Sequence, residues 1–503
     1  MNDTLPSSFL AECERERLHR IGAIQPDGAL LGSSFGEERV RFASANLADW
    51  LGRAPDEVLG RPIAEVLPHF TPEEGLGAGR RQLHPKLTDG PQGALDGLLS
   101  HSDEGWLLEL QPAPSEDQRP PTTNQALKGL FKAPREQADW TDYCQLLTRE
   151  VRGATGFDRV MVYRFLEDGS GEVIAEETAP GLSPYLGLRY PASDIPQIAR
   201  DLYVLNTHRQ IADVDAEPIP ILAIGDQEAD LSHADLRAVS PVHIQYLKNM
   251  EVRASLSFSV IINGQLWGLI ACHHRTPRWL PLLLRERCVE MVEVFQLGIA
   301  GHQSNRRLAA LTMIDDAIER VMSALHLAEH EGDPSLLGPG LLSLVRAGGA
   351  VLYEDGDISC FGETPPKSAI QPLVQWLHRE HRSEPIFATD ALSAHYPPAG
   401  GFVAEASGLL AVRTISSIAS AELERTFLWF RPEMPQTVHW AGDPRKSAMF
   451  DSQSATLSPR SSFELWIETT SGRCDPWGDA DRLAAKKFRN LVLRGLNPRL
   501  LRL

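Results

Sequence analysis

LRYPASDIPQIARDLY, residues 188–203, is the stretch around which the rest of the chain is organised. Pro191 and Pro196 fix φ at two points, and Pro196 biases Ile195 toward extended backbone. Asp194 is therefore expected on rigid, non-helical backbone. Ile198 and Leu202 stand four residues apart and proline suits a first turn, so the pattern predicts a helix directly beyond. Two readings of the acidic residue follow. Ser193 or Asp194 caps that helix, or Asp194 presents its carboxylate and its backbone carbonyl to a cavity. The neighbouring motifs decide between them.

Outward from this stretch, FDRVMVYRF (157–165) reads as a strand with aromatic and β-branched residues on alternate faces, and Glu172–Ala175 is a candidate partner. Residues 255–262 and 265–273 form a second pair joined by Asn263-Gly264, a strong hairpin turn. Along its first strand Ser255, Ser257 and Ser259 share one face and Leu256, Phe258 and Val260 the other. The serine face is either solvated or covered, and if covered its hydroxyls need polar partners. A helix at Trp140–Arg152, this antiparallel sheet and a long insertion between strands resemble a GAF domain.

Three constellations converge here. Asp194 and its helix bring Tyr203 and, beyond it, Arg209. RAVSPVHIQYLKNM supplies Arg237, Ser240, His243 and Tyr246, with His243 and Tyr246 on one face if helical. The hairpin carries Ser255, Ser257 and His273. An ideal two-residue turn sets Cys272, not His273, opposite Ser255, so His273 reaches the site only through a bulge or a strand end. Arginines, serines and histidines around an apolar cavity suit a large, flat ligand bearing carboxylates. Cys272-His273-His274 is a poor metal set, because neighbours on a strand point to opposite faces. No oxyanion-hole motif supports a Cys–His hydrolase at Cys13. A cyclic-nucleotide-like regulator is the more serious alternative, since arginine and serine also bind phosphate; two carboxylate anchors and the rings of Tyr163, Tyr190 and Tyr246 count against it.

On the N-terminal side, residues up to about Leu18 read as an arm carrying Cys13 in the run ECERER, where Arg15 and Arg17 favour a thiolate and Glu14 and Glu16 oppose it. Residues 21 to about 111 predict a compact α/β domain. It has strands at Ala29–Leu31 and Val40–Phe42, short helices through NLADWLGRAPDEVLGRPIAEVLP, and a closing strand at Trp106–Leu110. That order resembles a PAS domain. From Gln111, QPAPSEDQRPPTTNQ reads as a connection. On the C-terminal side, Leu284, Cys288, Val292, Phe295 and Ile299 form a helical stripe continued by Leu308, Leu311, Ile318 and Leu325. This is a long helix leaving one domain for the next, either an ordinary surface helix or a seam with a second copy. The third domain repeats the second in outline. It has a strand at Ala350–Tyr353, the Asp355-Gly356 turn, a helix near Ile370–Arg379, and the strands GLLAVRT and TFLWFRP. Residues 431–468 fit neither period cleanly, as functional or disordered segments often do not.

The 503 residues are too many for one core and suggest roughly three domains. A formal charge of −18 argues against nucleic acid or an anionic membrane as partner. No apolar run approaches a bilayer span and MNDTLPSSF lacks a secretory pattern, so a cytosolic protein is expected. The six cysteines are scattered without a C-x-x-C pair, which indicates neither a disulfide framework nor a zinc knuckle.

PASDIP (191–196), SPVHIQYLKNM (240–250), LWGLIACHH (266–274), IQPDGALL (24–31) and PRSSF (459–463) occur in the order found in bacteriophytochromes, which the chain resembles over nearly its whole length. The resemblance implies an α+β, three-domain PAS-GAF-PHY photosensory module of antiparallel sheets flanked by helices and linked by a long helix. Its parts are an arm at 1–20 knotted through the GAF domain, PAS at 21–115, a linker at 116–130, GAF at 131–303, and PHY at 304–503 with a tongue at about 431–468. It implies biliverdin IXα, a linear tetrapyrrole, in the GAF cavity, with a thioether from its ring A vinyl group to Cys13. It further implies that the Asp194 carbonyl accepts pyrrole N–H groups, with Ile195 and Pro196 beside it and His243 flanking the same nitrogens through a water. Arg209, Arg237, Tyr203, Ser240, Ser255 and Ser257 would hold the propionate end. His273 would bond the ring D carbonyl, with Met161, Tyr163, Tyr190 and Tyr246 as the wall of ring D. Arg460 would reach the Asp194 carboxylate, and Ser462, Phe463, Trp440 and Trp466 would belong to the signalling tongue. The implied function is red/far-red light sensing rather than catalysis, in a homodimer, with an output kinase domain or response regulator beyond these residues. Family members usually have His where this chain has Asp27, Pro where it has Arg17 and Gly where it has Glu251.

Overall fold

Alternating small and large residues in ASLSFSVII and QLWGLIACHH build a central hairpin, turned at Asn263 and Gly264 with φ of 53° and 76°. Left-handed backbone at both positions is what a two-residue I′ turn requires. The computed structural model describes residues 17–72, 78–115, 125–418, 421–444, 448–451, 456–459 and 462–496. These divide into two compact units, 1–302 with 439–466 and 303–438 with 467–503.

In the first unit, strands β1 (Ala23–Ile24), β2 (Ala29–Ser34), β3 (Phe42–Ser44), β4 (Arg81–Gly90), β5 (Gly93–His101) and β6 (Gly105–Pro112) belong to one antiparallel sheet. Short helices at Leu47–Leu51, Pro55–Val58 and Ile63–Val66 help to cover it. The long β4–β5 hairpin was not legible in the sequence, because its alternation breaks at a register shift between His84 and Thr88, where Lys86 has φ of 49°. Nor does the connection begin at Gln111. That residue is still in β6, is fully buried, and accepts a hydrogen bond from Arg285.

The second sheet follows helix α1 (Gln137–Thr155) and contains β7 (Arg159–Phe165), β8 (Gly171–Thr178) and β9 (Arg189–Tyr190). After helix α2 (Gln197–Leu205) it continues through β10 (His208–Ile211), and after helix α3 (Pro241–Asn249) through β12 (Ala254–Ile262) and β13 (Gln265–His274). Between them β11 (Ile219–Ala223) leaves this sheet and pairs with β1 and β3 of the first. Residues 23–25 therefore run between two limbs of one excursion. Ala23 and Ile24 pair with Pro220 and Ile219 on one side, while Gln25 N–H and Ala238 N–H bond Leu236 and Ala23 carbonyls on the other. Gly28 permits this approach, since a Cβ there would sit 2.4 Å from the Leu110 carbonyl oxygen. One face of the second sheet, with Val160, Leu256, Phe258 and Ile270, packs on α1 and on Cys288, Val292, Phe295 and Ile299 of helix α4 (Leu282–Glu331). These four are residues of the expected stripe.

In the second unit, β14 (Gly349–Glu354), β15 (Asp357–Gly362), β16 (Ile386–Thr389), β17 (Gly408–Ile418) and β18 (Ala421–Arg431) form a five-stranded sheet in the order β15-β14-β18-β17-β16. Helix α5 (Lys367–Glu380) covers one face. Helix α6 (Asp479–Leu496) covers the other with the later part of α4, where Phe488 meets Phe427 edge-on at 4.9 Å. The stripe of α4 here is Ile314, Ile318, Val321 and Leu325, whereas Leu308 is 65% exposed. At roughly 100° per residue Leu308 points about 80° away from Ile318, so it is off the buried face. The excursion that fitted neither period contains strand β19 (Gln436–Ala441), a hairpin of Ala448–Asp451 with Thr456–Pro459, and a strand at Leu465–Thr470. No helix among the described residues is long and apolar enough to cross a membrane.

Helix α3 ends at Glu251, whose φ of 59° is left-handed, with its N–H bonded to the Lys248 carbonyl. A Cβ costs about 1–2 kcal/mol in this conformation. Glu251→Gly is expected to stabilise the chain by up to about 1 kcal/mol, as a raised midpoint in urea denaturation.

Candidate functional site

The second sheet's other face is the floor of a cavity, roofed by α2 and α3. The cavity offers about 230 Å³ to the centres of water molecules, many times the ~10–15 Å³ one water needs. Pro191 and Pro196, both at φ −64°, bracket a 3₁₀ turn at Ala192–Asp194. Asp194 is thus rigid, but on a helical turn rather than the non-helical backbone expected. Neither Ser193 nor Asp194 caps α2: Pro196 occupies the cap position, with no side-chain bond to the helix. The Asp194 carboxylate instead accepts from Tyr246 Oη at 2.8 Å. Asp194 lines the cavity rather than capping the helix. Arg200, which the sequence reading passed over, braces the turn by donating to the carbonyls of Ile195 at 2.7 Å and Gly169 at 2.6 Å.

The hairpin delivers His273 by the irregularity it needs. A shift after Val260 pairs Ser255 with His273 and Leu256 with Cys272. Cys272 consequently enters the apolar core while His273 lines the cavity. Ser255 and Ser257 line it too, and Ser259 Oγ donates to the Tyr203 carbonyl at 2.6 Å, so the serine row is covered. On α3 the rings of His243 and Tyr246 lie nearly parallel, 6.0 Å apart at 12°. Tyr163 and Tyr190 meet edge-on at 5.9 Å. Gly171 makes room for the former, since a Cβ there would fall 1.9 Å from the Tyr163 ring.

Met161, Tyr163, Tyr190, Asp194, Ile195, Pro196, Tyr203, Arg209, Arg237, Ser240, His243, Tyr246, Ser255, Ser257 and His273 all line this one cavity. Phe463 packs edge-on against Tyr246 at 5.2 Å, and Trp440 is in register with Arg189 of β9. Ser462 is exposed and Trp466 half-buried, both away from the lining. Cys13 and Arg460 lie outside the described residues. Leu18, Val173, Val242, Met250 and Leu269 also line the cavity; as plain apolar residues they carried no signal apart from any core position.

Charge at the site is one-sided. Arg209 donates to the carbonyls of Asp235, Arg237 and Ala238, and Arg237 to that of Leu18. Among the described residues neither guanidinium has a carboxylate within ion-pair distance. Burial, with Arg209 close by, pushes Arg237 down to about 9. Burial and nearby arginine charge likewise push His243 down to about 4 and His273 down to about 3. His273 Nδ1 is buried without a partner among the described residues. Two desolvated cations and an unpartnered imidazole nitrogen favour a ligand with anionic groups at one end and a polar atom at the other.

Residues 318–499 match the family described as phytochrome region, 139–299 the GAF domain and 13–113 the PAS fold. Over 98% of its length the chain is 35% identical to cyanobacterial phytochrome B of Nostoc sp. (strain PCC 7120), spanning 67% of that protein. Over 95% of its length it is 33% identical to the bacteriophytochrome of Xanthomonas campestris pv. campestris (strain 8004), spanning 78% of it. The chain belongs to the phytochrome family. Phytochromes are red/far-red photoreceptors, and the PAS-GAF-PHY photosensory architecture is theirs. The crystal structure of bacteriophytochrome RpBphP3 from R. palustris superposes with a TM-score of 0.77 at 33% identity, covering 96% of this chain and 98% of that one. The Stigmatella aurantiaca phytochrome photosensory core module gives 0.74 at 32%, covering 96% and 97%.

His243 and His273 are held neutral in the folded chain, whereas unfolded they titrate near 6.5. Between about pH 4 and 6.5 the unfolded chain binds more protons, so stability falls as pH drops through that window, by about 1.4 kcal/mol per pH unit for each histidine. His243→Gln is expected to remove one histidine's share of that slope, read from urea denaturation of protein purified without added pigment.

Proposed function

We propose that this phytochrome chain binds biliverdin IXα in the cavity, linked through Cys13, and senses red and far-red light. The observation that carries this reading is that Arg209 and Arg237, which have no carboxylate within ion-pair distance among the described residues, line one cavity with Tyr163, Tyr190, Tyr203 and Tyr246. When bound, biliverdin supplies a conjugated chain in which light isomerises the double bond between rings C and D.

Arg209 and Arg237 bind the propionates by charge-assisted hydrogen bonds, with Tyr203, Ser240, Ser255 and Ser257 as secondary donors. That end is thereby fixed, and movement is confined to the other. The Asp194 carbonyl accepts from pyrrole nitrogens and His243 bridges to them, together stabilising a protonated pigment. His273 offers Nδ1 or Nε2 to the ring D carbonyl, and Met161, Tyr163, Tyr190 and Tyr246 form a wall whose aromatic contacts tolerate a change of partner. The Asp194–Tyr246 hydrogen bond would register the change, with Arg460 as a further proposed partner of the Asp194 carboxylate. Phe463, Trp440, Ser462 and Trp466 pass it along residues 431–468. A homodimer and a kinase domain or response regulator as output complete the proposed system.

Coexpression with a heme oxygenase should yield a green-blue protein whose absorption changes reversibly under red and far-red light. Cys13→Ala should keep the colour in solution but lose zinc-stained pigment on a denaturing gel. A colourless wild-type product overturns the proposal in favour of a GAF regulator of another small ligand. Asp194→His should lower the photoconverted fraction several-fold and raise fluorescence, because it removes the acceptor of the Tyr246 hydroxyl; photocycling equal to wild type would remove Asp194 from the switch.

A further inference from the structure

Glu109 is the anomaly in the apolar strand WLLELQP. It is fully buried in β6, and its carboxylate accepts from the backbone N–H of Asp235 at 3.0 Å and of Leu236 at 2.5 Å. Burial and the Asp235 charge raise its pKa, while those two N–H groups and Arg81 oppose the rise. A lone carboxylate in such a place is expensive unless its hydrogen bonds matter to the fold or the site.

The segment it holds is residues 235–238, whose backbone groups are nearly all engaged. The Leu236 carbonyl accepts from Gln25 N–H, and Ala238 N–H donates to the Ala23 carbonyl. The carbonyls of Asp235, Arg237 and Ala238 all receive Arg209, at 2.9 Å for the first and 3.0 Å for the last. The Asp235 side chain is held as well, by Arg81 at 2.7 Å, Arg285 at 3.1 Å and Asn206 at 3.1 Å. Two ends of one chain of contacts are thus visible. Glu109 grips the segment from the first sheet, and the carbonyls of that segment aim Arg209, while Arg237 belongs to the segment itself.

We propose that Glu109 is a positioning residue for the anionic end of the cavity, setting the orientation of Arg209 and Arg237 through the backbone of residues 235–238. It acts from the PAS domain on the carboxylate selectivity of a GAF cavity it does not touch. This inference rests on the biliverdin reading above and assigns the determinant of its propionate recognition.

The test compares uptake of biliverdin with that of biliverdin dimethyl ester, which lacks the propionate charges, by wild-type protein purified without pigment and by two variants. Glu109→Gln keeps the shape but turns an amide NH₂ toward one backbone N–H. It is expected to weaken biliverdin binding roughly tenfold while changing dimethyl ester binding less than about twofold. Glu109→Asp retracts the charge by one methylene and is expected to lose discrimination in the same direction, which keeps the test decisive if the glutamine variant fails to fold. Equal loss for both pigments, or no loss for either, overturns the inference alone. Wild-type protein that takes up neither pigment overturns the biliverdin reading and this inference with it.

Discussion

Arg237 lies buried and Arg209 half-buried in the lining of one cavity, and among the described residues both donate to carbonyl oxygens alone. Burial, and after it the like charge of Arg209, lowers the pKa of Arg237. The fold tolerates the arrangement because the receiving carbonyls are rigid. Those of Arg209 belong to residues 235–238, pinned by residues 23–25 on one side and by Glu109 of β6 on the other, while Arg237 donates to the Leu18 carbonyl. An insertion that crosses to the first sheet as β11 and returns past the arm makes such pinning possible. The arm, the insertion and the first sheet can be understood together as a scaffold for placing positive charge where an anion can neutralise it.

Much of this site was legible because its residues break local rules. A proline on each side of an acidic residue, serines alternating on a strand that is otherwise core, and paired histidine and tyrosine on a short helix are each hard to justify as packing. The register of His273 was legible as a conditional: it needed a bulge, and the shift after Val260 supplies one. Leu308 was misread because a stripe was carried through a polar patch without following its phase. The β4–β5 hairpin was missed because alternation fails at Lys86. Glu109 was overlooked for a different reason. Its meaning lies in backbone N–H groups of Asp235 and Leu236, far away in the chain, and no local pattern announces a partner of that kind.

Histidine placement adds a further constraint. His243 and His273 are neutral over the ordinary range of pH, and neither adds charge to the cavity there. They act as directional hydrogen-bonding groups, each with one donor and one acceptor nitrogen. Neutral imidazoles, two fixed cations and the Asp194 carboxylate thus line one cavity. A ligand clamped by the cations and met elsewhere by neutral groups would have the division of labour a photoisomerising pigment requires.

The excursion that joins β18 to α6 has the complementary property of being poorly settled. In the strand Leu465–Thr470 the apolar residues Leu465 and Ile467 are 56% and 55% exposed. Leaving side chains of this size in water forgoes about 1.5–3 kcal/mol each relative to full burial. Phe463, Trp466, Ile467 and Thr470 stand at i, i+3, i+4 and i+7, a spacing that gathers large residues on one helical face. The same residues thus satisfy a strand with a penalty and a helix with an amphipathic stripe. Two conformations separated by only a few kcal/mol can be exchanged by a modest change in contacts elsewhere. Phe463, which packs on Tyr246, stands where a change at the Asp194–Tyr246 hydrogen bond would be felt first. On the proposed reading, a segment of settled periodicity would resist that change.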